Sequence, residues 1–249
     1  MGRPVAVVLG VGMGIGGAVA SKFASAGYDV AVVARNKTYK TSHNEDKLTP
    51  LKKHINEKYP SCTVLPIVAD VSVASDVARA FGVIRSSFKE EDIQVLVYNV
   101  GIRLLEGESV AVVSPEMVAE FFRINALGAL LCMQQALPGM IAHNRGTIIL
   151  TGATASLRGS PGMASFAMGK FALRALAQAA ARELGPKGIH VCHVIIDGVV
   201  DMPLMKRVPK DKMNPDDIAA MYYFLSQQPP SAWTFELDLR PSTETIANL

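Results

Sequence analysis

The chain has 249 residues, of which 49% are apolar and 19% charged. That balance excludes disorder and fits one α/β domain with a large core. The net charge of +3 comes without a long basic run, which argues against a nucleic-acid face. No stretch reaches about 18 uninterrupted apolar residues, so no membrane span is expected. Met1-Gly2-Arg3-Pro4 leads straight into a strand pattern without a signal peptide. Cys62, Cys132 and Cys192 are odd in number and widely spaced, which points to free thiols in a reducing, cytoplasmic compartment. His190 and His193 fall on opposite faces of one strand, so no metal is expected there.

Val5-Ala6-Val7-Val8-Leu9 reads as a buried strand, followed by a Gly-rich turn and a helix from Gly16 to Ala26. Residues 30–34 form a second strand, and the polar stretch 36–50 a loop. Leu51 to Lys58 reads as a helix and residues 64–68 as a third strand. Val77, Phe81 and Ile84 recur at helical spacing within 72–88. Residues 95–98 are a fourth strand. A long helix over Pro115 to Met140 is expected to break near Pro138. Residues 147–150 are a fifth strand, Ser165 to Leu184 a helix closed by Gly185-Pro186, and His190 to Ile196 a sixth strand. Short apolar strands alternating with helices predict a doubly wound parallel sheet of Rossmann type. One domain spans 1–249, with a candidate substrate loop at 198–215.

The turn Gly10-Val11-Gly12-Met13-Gly14-Ile15-Gly16 lies between the first strand and the first helix. Gly10, Gly14 and Gly16 permit positive φ and close approach to phosphate, and the helix start at Ile15 and Gly16 offers N–H groups to a pyrophosphate. This placement, at the head of a βαβ unit, points to dinucleotide binding. The second strand ends at Ala34-Arg35 without an acid. Arg35 suits a 2′-phosphate and hence NADP, against the plainer reading of a solvated Arg. Asn36 and Lys37 can assist. Asp70-Val71 follows the third strand; an adenine contact and ordinary turn capping are both open. Asn99-Val100-Gly101 ends the fourth strand, with Gly101 letting the chain pass close to the cofactor.

These motifs resemble the short-chain dehydrogenase/reductase family over Val5 to Ile196, roughly three quarters of the chain. Gly10, Gly14 and Gly16 match its Gly-x-x-x-Gly-x-Gly turn, Asp70-Val71 its Asp-Val pair, and Asn99-Val100-Gly101 the end of its Asn-Asn-Ala-Gly motif, with Tyr98 in place of the first Asn. The resemblance implies a catalytic set of Asn, Ser, Tyr and Lys. Asn125 looks like the Asn that holds a relay water, and Lys170 like the Lys that grips the nicotinamide ribose. The Tyr position is Phe166 and the Ser position Ala153, with Thr154 next door as a displaced hydroxyl. General acid–base help is typically worth about 10²–10⁴ in rate. Ketone reduction without an acid would leave a bare alkoxide in a dry site. The standard relay is therefore not expected to operate.

Asp197 replaces the Pro of the family's Pro-Gly after the sixth strand. It is the first candidate for a replacement acid, with loop capping as the other reading. Tyr98, Thr154, His193 and Asp201 are weaker candidates. Some short-chain reductases of unsaturated acyl-CoA esters also lack the Tyr, so conjugated-alkene reduction is one implied class. Ala172, Ala175, Ala179 and Ala180 line the helix that forms a dimer seam in the family, which implies a homo-dimer or homo-tetramer. The end, Trp233 to Pro241, departs from the family's usual final strand. Ala247-Asn248-Leu249 loosely resembles a peroxisomal address, as an alternative to the cytoplasm. Two functions stand: an atypical NADP-dependent oxidoreductase acting on a small molecule, or a catalytically inactive NADP(H)-binding sensor or structural partner.

Overall fold

The computed structural model describes residues 2–35, 46–89, 92–102, 107–201 and 212–243. Seven strands form one sheet: β1 (Val5–Leu9), β2 (Asp29–Ala34), β3 (Val64–Val68), β4 (Ile93–Tyr98), β5 (Gly146–Ala153), β6 (Ile189–Ile196) and β7 (Glu236–Leu239). Their order is β3-β2-β1-β4-β5-β6-β7, and every pairing is parallel. The helices are α1 (Ile15–Ser25), α2 (Leu48–Lys58), α3 (Ala74–Ser87), α4 (Pro115–Phe122), α5 (Gly128–Ala142), α6 (Ala164–Leu184) and α7 (Pro215–Ser226).

The strands are apolar on both faces because helices cover both. Val5, Val7 and Leu9 of β1 point into a core shared with Phe81, Met133 and Leu173 of α3, α5 and α6. Ala6 and Val8 point the other way, into a core with Phe23, Ile55 and Tyr222 of α1, α2 and α7. The period-2 alternation of one five-residue strand thus feeds two cores.

Two expectations need correction. The long helix does not break at Pro138, which sits on the exposed side of α5 without ending it. The irregularity is a π-turn at Arg123–Leu127, between α4 and α5. The Tyr98 hydroxyl donates to the Ile124 carbonyl there at 2.5 Å, satisfying a group inside the loosened turn. The combined run Pro115–Ala142 is long and apolar enough to cross a membrane by length and composition, but Phe121, Cys132 and Met133 are buried in the protein's own core. The second correction is β7. The departing C-terminal stretch still supplies a final strand, in register with β6 through His193↔Glu236 and Ile195↔Asp238. Arg174 of α6 pins it by two bonds to the Glu236 carboxylate, at 2.7 and 2.8 Å. Of the candidate loop 198–215, residues 202–211 lie outside the described residues; Val200 and Met213 are bridged across it.

Between β1 and β4 the chain leaves the sheet in opposite directions, which opens a crevice at the C-terminal edge. Gly10 stands at that switch point with φ +83. A Cβ there would lie 2.7 Å from the Asn99 carbonyl and the Val100 nitrogen. Gly12, two residues on, has nothing within 4 Å of its Cβ position. Gly10→Ala should therefore cost about 2–4 kcal/mol, from left-handed strain plus overpacking. Gly12→Ala should stay within roughly 0.5 kcal/mol of wild type. Denaturant melts of the two variants check this, and equal losses would contradict it.

Candidate active site

The crevice is a cleft of about 280 Å³, running from Arg35 and Asp70 past Gly10 and Asn99 to Gly101 and Ile124. It brings together Gly10, Arg35, Asp70, Val71, Asn99 and Gly101, six residues singled out from the sequence. Gly14 precedes α1 without a side-chain cap, and α1 has no acid in its first turn. The turn is tight: a Cβ on Gly16 would lie 2.5 Å from the Gly10 carbonyl oxygen. The start of α1, including Ile15 and Gly16, is thus built to bring backbone N–H groups close to an anion. Asn99 holds the floor, its side-chain amide donating to the Gly10 carbonyl at 3.0 Å. A dinucleotide fits this donor set and this glycine cradle.

At the adenosine end, Arg35 lies 3.6 Å from the Asp70 carboxylate. Asp70 also accepts from the Ser72 amide and hydroxyl, at 2.9 and 2.7 Å. The turn-capping role is therefore real, and the carboxylate still lines the cleft. Lys47, just before α2, lines the same end. Sequence reasoning missed it, because it lies twelve positions beyond Arg35 and no motif marks it. Asn36 and Lys37 lie outside the described residues.

At the other end, α6 and the π-turn converge on Gly101. A Cβ on Gly101 would lie 3.3 Å from Lys170 Nζ and 3.4 Å from Asn125 Oδ1. Lys170 is buried and donates to the Thr151 carbonyl at 2.9 Å. Burial pulls its pKa down from 10.5 to about 8. Asn125 is fully buried; its amide nitrogen donates to the Phe121 carbonyl at 3.0 Å, while Oδ1 has no hydrogen-bond partner among the described residues. A buried acceptor without a donor is costly, and this one faces Gly101 together with Lys170. Phe166 meets Phe121 edge-on at 6.5 Å and packs with Ile102 and Ile124. Lys170 Nζ lies 6.0 Å from the centre of its ring. The position that would carry a phenol oxygen belongs to an apolar cluster.

The proposed replacement acids are engaged elsewhere. Asp197 is buried, accepts from the Thr154 hydroxyl through Oδ1, and lies 3.3 Å from the Arg240 guanidinium through Oδ2. Its amide donates to the Leu239 carbonyl at 2.8 Å. With both carboxylate oxygens engaged, Asp197 and Thr154 form a clasp joining the ends of β5, β6 and β7. Ser156, another hydroxyl in this loop, accepts from the Ala153 amide at 3.1 Å. Tyr98 spends its hydroxyl on Ile124. Asp201 pairs with Lys212 at 2.6 Å. His193 lies beneath Gly152, its Nδ1 3.0 Å from Glu236. Burial lowers the His193 pKa, outweighing that carboxylate.

The family model described as short chain dehydrogenase matches residues 4–213. The human protein named inactive hydroxysteroid dehydrogenase-like protein 1 is 30% identical over 190 residues, 76% of this chain and 54% of its own. The chain thus spans about half the length of that relative. A short-chain dehydrogenase structure from Rhodopseudomonas palustris is 33% identical, covering 96% of this chain and all of its own, with TM-score 0.78. An alcohol dehydrogenase structure from Thermococcus sibiricus, complexed with 5-hydroxy-NADP, is 24% identical with TM-score 0.84, over 98% and 99% of the two chains. The chain belongs to the short-chain dehydrogenase family.

Lys170 has a consequence for stability. Its folded pKa of about 8 lies below the usual 10.5. The folded state therefore carries a disfavoured cation below pH 8, at a cost on the order of 3 kcal/mol. That cost is released as pH climbs from about 8 toward 10.5. Lys170→Met should be more stable than wild type at pH 7, with the gap narrowing by pH 10. Melts at both pH values check this; a less stable variant at pH 7 would contradict it.

Proposed function

We propose that this chain is an atypical NADP-dependent oxidoreductase of the short-chain type, cytoplasmic and self-associating, with a small-molecule substrate. The observation that carries the reading is the convergence of Lys170 Nζ and Asn125 Oδ1 on Gly101, at the far end of a cleft that begins at Arg35. Gly10, Gly14, Ile15 and Gly16 would hold the pyrophosphate, Arg35 and Asp70 the adenosine, and Asn99, Gly101 and Lys170 the nicotinamide ribose. Bound NADPH supplies hydride. The presence of an NADP analogue in a structural relative supports the choice of cofactor. Lys170 binds and orients; at pH 7 it is mostly an ammonium with one N–H committed to Thr151. Asn125 offers an acceptor beside it. Phe166 and Ile102 exclude water from the same end.

Exposed Phe122, Met168 and Phe171, continued by exposed Ala175 and Ala179, make an apolar stripe on α4 and α6 that suits a second copy. The C-terminal tripeptide that bears on the peroxisomal alternative lies outside the described residues.

The second reading is a non-catalytic NADP(H)-binding protein. Phe166 within an apolar cluster favours it, as does a relative whose name calls it inactive. Cofactor oxidation with candidate substrates separates the two: turnover supports the enzyme, and binding without turnover supports the sensor.

Wild type should bind NADPH more tightly than NADH by calorimetry, and Arg35→Ala should shrink that preference. Equal affinities in wild type would sink the cofactor choice.

Wild type should reduce simple ketones poorly. Phe166→Tyr combined with Ala153→Ser should raise NADPH-dependent ketone reduction by at least about tenfold, since Lys170 and Asn125 are already in place. Brisk ketone turnover by wild type would contradict this.

A further inference from the structure

Tyr98 stands where the ends of β3 and β4 meet the π-turn. Its ring is buried in the core shared with α3 and α5. Burial pushes its pKa well above the ordinary 10, so the phenol keeps its proton and serves as a donor. Gly128 makes room for the hydroxyl. A Cβ there would lie 2.5 Å from the Tyr98 oxygen and 2.9 Å from the Val71 carbonyl oxygen. Val71 and Ile124 both line the cleft, so the hydroxyl is wedged directly behind its lining.

The hydrogen bonds of the turn define what the hydroxyl does. In a regular helix the Gly128 amide would donate to the Ile124 carbonyl, four residues back. Here it donates to Arg123, five residues back. The Ile124 carbonyl takes the Tyr98 hydroxyl in its place. A buried carbonyl without a donor is costly, so the turn stays open because a phenol from another strand supplies one. Without that oxygen the Ile124 carbonyl competes for the Gly128 amide, and the turn closes to the α spacing. A one-residue change of register swings a side chain by about 100° about the helix axis.

Asn125 lies inside this turn. Its amide nitrogen donates to Phe121, and Gly169 of α6 packs against it, where a Cβ would lie 3.1 Å from the Asn125 Cβ. Held in this way, Oδ1 faces the same point beside Gly101 that Lys170 Nζ faces. We infer that Tyr98 is a positioning residue, its hydroxyl holding the π-turn open and so aiming Asn125 Oδ1 at Gly101. Tyr98 acts through Asn125 and does not itself line the cleft. Its bearing on binding rests on the reading of the cleft as an NADP(H) site.

Tyr98→Phe removes one oxygen and keeps the ring. A crystal structure of that variant should show the Gly128 amide on Ile124 and the Asn125 oxygen turned away from Gly101. A π-turn left as it is would overturn the inference. Calorimetric titration with NADPH reads the consequence for the site. Tyr98→Phe and Asn125→Ala should each weaken NADPH by about threefold or more. The double variant should lose no more than the larger single loss, because the two residues act as one unit. A residue that only supports the fold would lower the melting temperature and leave affinity alone, or add its loss to that of Asn125→Ala; either result overturns the inference. Should Tyr98→Phe fail to fold, Gly128→Ala displaces the same hydroxyl from the other side and should give the same loss of affinity, and an unchanged affinity there overturns the inference too. If wild type does not bind NADPH, the cofactor reading fails, and the structure of Tyr98→Phe alone decides the role of Tyr98.

Discussion

The site depends on one close approach, that of the backbone leaving β1 to the backbone leaving β4. The Asn99 amide donates to the Leu9 carbonyl at 2.9 Å, and its side chain donates to the Gly10 carbonyl at 3.0 Å. Those bonds leave no room for a side chain at residue 10. With both strand ends fixed, the Gly-rich turn can only rise over the sheet edge into α1, and the chain after Asn99 can only run the other way. The crevice between them is a geometric consequence of that junction. Two residues further on, Gly101 carries the same wall to Lys170 and Asn125, so both ends of the cleft share one backbone segment.

What was legible in the sequence follows from how locally each feature is determined. The strands β1 to β6 are short, mostly apolar runs, and the Gly10–Gly16 turn is punctuated by glycine, so both could be read from short windows. The π-turn could not. The 3.6-residue pattern of α4 runs into that of α5, and the disruption depends on Tyr98, which lies on another strand and reaches Ile124 across 26 positions. Pro138 gave a strong local signal but lies on an exposed helix side, where water can take the carbonyl it frees. The final strand, Glu-Leu-Asp-Leu, is four residues long and carries two acids. Arg174 and Arg240 pair with those acids, and both are distant in sequence or outside the strand pattern.

The candidate site shows the same division. Gly10 and Asn99, each within a motif, line one cleft, and Lys170 reaches its Gly101 end. Asp197 stands at the strand end where the sequence puts it, and its neighbours there pair with its carboxylate. A carboxylate at the end of β6 is exposed to whatever the ends of β5 and β7 present, and here they present Thr154 and Arg240. Pairing of this kind is set entirely by tertiary structure, and a single strand-end Asp cannot announce it. Ser156 likewise serves the Ala153 amide. Thr154, Ser156 and Asp197 are thus engaged in the geometry of the strand ends and their loops.

Lys170 is the exception, and it bears most on function. Its ammonium is buried, and the hydrogen bond described for it goes to a neutral carbonyl, with an aromatic ring 6.0 Å away. Neither partner offsets the desolvation of a full charge, which is why the pKa falls to about 8. If the missing Tyr had left only a structural remnant, a Met or Leu at residue 170 would pack into the same apolar surroundings at lower cost. The Asn125 oxygen, without a partner among the described residues, adds a second cost of the same kind. Both costs fall when a polar ligand supplies the missing acceptor and donor at Gly101. Both groups flank Gly101, beside the apolar cluster that holds Phe166.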